Sequence, residues 1–157
     1  MDAIIMPSTH YVIENIRKDF PDISFVKGRE FSWSINNKTI EYSDNGDSWP
    51  MLLHEIAHSL LNHNNYKSGI HLLNMERDAW IKAEELASNY DLTIDEEIIE
   101  KSLDTYRDWL HSRSKCPECG AIGFETEKYI HHCLECNNDW KVNDARMCRL
   151  RRDRIKK

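Results

Sequence analysis

Glycine and proline are scarce in this chain of 157 residues, at five and four. That excludes a collagen-like repeat or a Gly/Pro-rich linker and argues against a turn-dense all-β fold. No apolar run approaches the ~20 residues that a membrane-spanning helix needs. Residues 1–7 lack a basic stretch and a long apolar segment, so no secretory signal is expected. These absences predict a soluble, cytoplasmic protein without a membrane partner. What is present suffices for a packed core: 40% of residues are apolar and 31% charged, outside the disordered range.

The net charge of −6 is unevenly spread. Residues 145–157 hold seven Lys/Arg against Asp153 alone, a net of +6, which leaves −12 on the rest. A basic end on an acidic body points to a partner rather than to a fold. Five cysteines without a secretory signal point to metal before disulfides.

The periodicity predicts an α+β chain. An amphipathic helix is expected over 8–19, capped by Ser8 or Thr9, with Val12, Ile13, Ile16 and Phe20 as its stripe. Short strands are expected over 23–26, 31–35 and 39–43. The last two form a hairpin around Asn36, Asn37 and Lys38, since Asn tolerates positive φ. A loop over 44–49 leads to a helix from Pro50 to about Asn64, and a further helix runs from about Leu72 to Tyr90. Thr93 with Glu96 resembles a capping box for a helix reaching Ser112, followed by a linker over 112–115.

Leu53-His54-Glu55-Ile56-Ala57-His58 is an H-E-x-x-H motif on the first of these long helices. Residues i and i+4 share one helical face, so His54 and His58 can meet one Zn²⁺. Glu55 can reach a metal-bound water instead and take its proton as general base. A catalytic zinc needs a third protein ligand. Leu61 and Asn64 stand where a metzincin has its glycine and third histidine, which excludes that class, and His63 falls one residue short. Two candidates stay open. Glu76 precedes Ala79 and Ala83 on a face that lets two helices approach closely, and it is preferred; His71 is the other.

The segment Leu52 to Leu61, followed by Glu76, Asp78 and Ala79, resembles the ImmA/IrrE-type metallopeptidases over roughly residues 8–90. In that family a Glu in an E-x-E-A-like context follows H-E-x-x-H. Here Asp78 replaces the second Glu, and Trp80 stands where the family usually has Asn or Asp. The resemblance implies a zincin-like fold of helices plus a short antiparallel sheet. It also implies zinc on His54, His58 and Glu76, and limited cleavage of a protein substrate such as a helix-turn-helix transcriptional repressor. SprT-like proteases, with a downstream histidine as third ligand, are the second resemblance. They also join an H-E-x-x-H domain to a zinc ribbon and act on DNA-bound proteins. A non-catalytic adaptor is the rival class, and the presence of Glu55 speaks against it.

Cys116-Pro117-Glu118-Cys119 and Cys133-Leu134-Glu135-Cys136 lie 13 residues apart. Two C-x-x-C knuckles at this spacing bring four thiolates to one structural zinc. Gly120 follows the first pair, where a knuckle turn benefits from positive φ. The odd Cys148 is expected on a short C-terminal helix. The basic end suggests phosphate contacts from Arg146, Arg149, Arg151, Arg152 and Arg154, with Trp140 as a stacking face for single-stranded nucleic acid. The expected organisation is a zincin-like metallopeptidase domain over 1–112 and a zinc ribbon with a basic tail over 113–157. Two zinc ions are expected, one catalytic and one structural.

Overall fold

A computed structural model of the chain describes residues 7–45, 48–146 and 148–156. The expectations for residues 1–6, for Gly46 and Asp47 of the 44–49 loop, and for Lys157 lie outside the described residues. The described chain is α+β and forms two compact units. One contains Met1–Asn64 with Arg77–Asp95; the other contains Asn65–Glu76 with Glu96–Lys157. Among the described residues, no helix is long and apolar enough to cross a membrane.

In the first unit, α1 (Thr9–Asp19) starts where Ser8 caps it, its side chain accepting from the Tyr11 N–H. Its stripe buries Val12, Ile13 and Ile16. Strands β1 (Ser24–Lys27), β2 (Ser32–Ser34) and β3 (Thr39–Tyr42) form one sheet in the order β1-β3-β2. β2 and β3 make the expected hairpin, with Trp33 opposite Ile40, and Lys38 rather than an asparagine takes the positive φ. The expected wholly antiparallel sheet is corrected: β1 runs parallel to β3. The chain crosses at Gly28, whose N–H donates to the Tyr42 carbonyl. A Cβ on Gly28 would stand 1.9 Å from Glu41 Oε1, so a side chain cannot pass there without displacing Glu41. The crossover leaves β3 in the middle, which is why Ile40 and Tyr42 are the strand residues that are buried.

α2 (Trp49–Leu60) carries the H-E-x-x-H motif, with Leu52, Leu53, Ile56 and Ala57 wholly buried. It ends four residues sooner than expected. Asn62 adopts a left-handed φ of 52°, its N–H donates to the Ser59 carbonyl, and the His63 N–H donates to the His58 carbonyl at 3.0 Å. These two bonds are a Schellman termination, which satisfies carbonyls the helix end would leave open. α3 (Gly69–Ser88) runs through the division of the chain, and its later part buries Ala79, Trp80, Ala83, Leu86 and Ala87.

In the second unit, α4 (Glu96–Ser114) begins at Glu96, so Thr93 lies ahead of its first turn and does not form the expected capping box. Residues 112–114, expected as a linker, are instead its last turn. Arg113 there is 1% exposed, donates to the Asp144 carbonyl and lies over the Trp109 ring. Strands β4 (Phe124–Glu127), β5 (Ile130–His132), β6 (Asp139–Val142) and β7 (Arg152–Arg154) form an antiparallel sheet in sequence order. The basic segment is therefore no free tail, since part of it is strand β7. Cys148 lies outside any helix and is exposed.

Candidate metal centres

Two groups of side chains place donor atoms so that they could hold a metal ion. The first is His54, His58 and Glu76, whose ligand atoms all lie within 4.8 Å of one another. His54 and His58 stand one turn apart on α2 and turn their Nε2 atoms to each other at 3.0 Å. A tetrahedral zinc with bonds of about 2.0–2.1 Å needs about 3.3 Å between ligand nitrogens, so a few tenths of an ångström of opening suffices. Glu76 completes the group from α3 and is 5% exposed; His54 is 3% exposed. A buried carboxylate beside two imidazoles is costly without a cation and is the donor set a divalent ion prefers.

The surroundings orient both rings. Trp80 stacks on His54, with centroids 4.3 Å apart and planes 27° apart. Trp80 thus supports the histidine by packing a ring against it. His63 faces His58, Nδ1 to Nδ1, at 2.8 Å. A metal on His58 Nε2 requires the proton on Nδ1, and His63 Nδ1 is then its acceptor. His63 therefore belongs to the site although it is no ligand. The signal for it was Asn62, whose left-handed turn folds the chain back. Glu55 is half-buried on α2 between the two histidines in sequence.

His71, the other candidate third ligand, is engaged at the start of α3. Its Nδ1 accepts from the Lys67 N–H at 2.9 Å, and its own N–H donates to Ser68 Oγ. Asp78 is exposed and pairs with Arg77.

The second group is Cys116, Cys119, Cys133 and Cys136. The Sγ atoms of Cys116 and Cys136 are 3.7 Å apart, and those of Cys119 and Cys133 are 3.5 Å apart. Tetrahedral zinc with bonds of about 2.3 Å puts its sulfurs about 3.8 Å apart, so the four thiols fit with almost no movement. The two knuckles repeat one backbone geometry. Gly120 and Asn137 each follow the second cysteine of a pair, each at positive φ (78° and 56°). The N–H groups of these residues donate to the carbonyls of Cys116 and Cys133. Burial opposes ionisation of Cys116, but the backbone N–H groups of Cys119 and Glu118 outweigh it and bring its pKa to about 6. At Cys136 the Asn138 N–H favours the thiolate, yet burial and the neighbouring thiols win and push the pKa up to about 12. Four thiols this close cannot all ionise without a cation among them.

The expected nucleic-acid residues fare differently. Trp140 is wholly buried; its Nε1–H donates to the Arg113 carbonyl and its ring stacks on His131. It offers no face to a base, which corrects its assignment as a stacking residue. Arg146 donates to the Tyr106 hydroxyl, Arg152 to the Lys115 carbonyl, and Arg154 pairs with Glu118. Arg149 and Arg151 are exposed. His131 is wholly buried and burial lowers its pKa, while His132 Nδ1 meets Asp139 at 2.6 Å.

No family model matches the chain, and neither a curated protein nor a solved structure matches it.

Proposed function

We propose that the chain is a zinc-dependent endopeptidase, with His54, His58 and Glu76 as ligands of a catalytic zinc and Glu55 as general base. The observation that carries this reading is the convergence of a buried carboxylate on the two histidines of an H-E-x-x-H helix. When bound, zinc would polarise a peptide carbonyl and lower the pKa of water at the site to about 7. The chain's own part is to hold the donors and to move the proton. His54 is kept in place by Trp80, His58 by His63, and Glu55 takes the proton from water and returns it to the leaving amine. Three protein donors leave one position open for substrate, the arrangement of a catalytic rather than a structural centre.

The four cysteines would hold the second zinc, a closed structural site. The resemblance to ImmA/IrrE-type metallopeptidases supplies the substrate class, a transcriptional repressor cut at a limited number of positions. Glu55→Gln tests the reading: the protein should keep both metals and its fold, yet lose cleavage of a helix-turn-helix repressor substrate by at least about a hundredfold. Unchanged cleavage by that variant would remove Glu55 from its role. A wild-type chain that cleaves no protein when loaded with zinc would favour the adaptor class.

A further inference from the structure

Glu76 sits about two turns into α3, a rise of about 10.5 Å from Gly69. A ligand carried that far along a helix is placed only as well as the helix start is held. Local capping does part of this, through Ser68 Oγ and the His71 ring. A distant residue does the rest. The Gly69 N–H donates to Glu125 Oε2 at 2.6 Å, and the other oxygen of Glu125 accepts from the Tyr129 N–H at 3.0 Å. One carboxylate thus ties the first turn of α3 to the β4–β5 hairpin, which leads directly into Cys133. Its negative charge also suits the positive end of the helix dipole.

The seat is close-fitting. Gly69 is buried, and a Cβ there would stand 2.6 Å from Leu110 Cδ1 and 3.4 Å from Glu125 Oε2. Tyr66, just ahead of the helix, adds a second fastening: its hydroxyl donates to Asp144 and lies 3.4 Å from the Tyr129 hydroxyl. Residues 65–76 and the four-cysteine hairpin belong to the same compact unit.

We propose that Glu125 is a positioning residue for the His54/His58/Glu76 centre, acting through the first turn of α3, so that the four-cysteine hairpin sets how well Glu76 reaches its metal. The inference rests on the reading of those three residues as a metal site.

Cobalt titration of the full chain tests it, because only the four-cysteine centre gives intense thiolate-to-cobalt charge-transfer absorption. Chelator competition then reads the affinity of each centre. Glu125→Ala should weaken the His/His/Glu centre about tenfold, as loss of a supporting hydrogen bond does, and leave the four-cysteine centre unchanged. In a Glu76→Ala background the same substitution should add nothing to the residual affinity, because its route is gone. Glu125→Gln keeps one carbonyl acceptor and should fall between, and it carries the test if Glu125→Ala does not fold. Unchanged affinity in these variants, or an equal loss with and without Glu76, overturns the inference. Cobalt uptake by the wild-type chain at the cysteines alone overturns the metal-site reading itself, a different result from either.

Discussion

Replacing His63 with phenylalanine separates a supporting role from mere adjacency. The ring of His63 meets that of His58 with centroids 5.0 Å apart, and a phenyl ring retains this edge contact while losing the acceptor. What disappears is the 2.8 Å hydrogen bond to His58 Nδ1. With a cation on Nε2 the imidazole carries part of its charge, so the bond resembles one to a charged group, about 1.5–3 kcal/mol. That converts to roughly a 10- to 150-fold weaker metal affinity. The assay is competition against a chelator of known affinity, with the four-cysteine centre loaded throughout. Stability of the metal-free chain is the control, since it should change little. His63→Gln, which can present an amide oxygen to the same proton, should recover part of the loss. Asn62→Val should mimic the loss from a distance, because a β-branched residue at a φ of 52° is strained by about 1–2 kcal/mol and shifts the turn that delivers His63. Unaltered affinity in His63→Phe would refute the reasoning and leave His58 oriented by its helix alone.

Glu76→Ala should weaken metal binding at the His/His/Glu centre by at least about a hundredfold, leaving only the residual affinity of the two histidines, whereas His71→Ala should leave that affinity unchanged and cost about 1 kcal/mol through the cap of α3; metal analysis of both variants decides between them. Trp140→Ala should destabilise the chain by about 3–5 kcal/mol in denaturant unfolding, because a wholly buried aromatic leaves a large cavity. Among the described residues of the basic segment, Arg149, Arg151 and Lys156 are exposed with no side-chain partner, while Arg146, Arg152 and Arg154 are engaged. Single-stranded oligonucleotide binding, read by anisotropy, should therefore show a log–log salt slope no steeper than about −2, at about −0.7 per contact.

Elements set by local periodicity were legible in the sequence. The stripe of α1, the β2–β3 hairpin and the apolar face of α2 each follow from residues a few positions apart, and so does the pairing of the cysteines. That Glu76 could join His54 and His58 in one donor group was legible too, since a carboxylate at the start of the next helix was a candidate from the motif onward. Features that depend on distant partners were not legible. Ser112 to Lys115 has the composition of a linker, and nothing local says that Arg113 is buried against Trp109 and the Asp144 carbonyl. Trp140 has the composition of a stacking platform, and only its pairing partners in the sheet make it core. The parallel alignment of β1 with β3 pairs Ser24 with Thr39 and Lys27 with Tyr42, partners too far apart in the chain for a local pattern to encode. His63 stands one residue short of the spacing a third histidine ligand would need, and its part depends on the left-handed turn at Asn62, which spacing rules do not describe.

The two donor sets differ in charge, and that difference argues for different work. Four thiolates around a divalent cation leave the centre two charges negative, which lowers its power to draw electrons from a further group and leaves no position to bind one. The N–H groups of Glu118 and Cys119 toward the Cys116 sulfur, and that of Asn138 toward the Cys136 sulfur, offset part of that negative charge. Two neutral imidazoles and one carboxylate leave the other centre one charge positive with a position open. That residual charge, in a site where His54 and Glu76 are almost wholly buried, is felt more strongly than it would be in water. Packing also serves it: an aromatic ring on His54 supports the ligand without adding negative charge, whereas a carboxylate in that place would lend some of its own. Under the proposed reading Trp80 would leave the centre electron-poor, which would favour the activation of water by Glu55 over tight retention of the metal, and Trp80→Asp should raise metal affinity, read by chelator competition, while lowering the rate of cleavage.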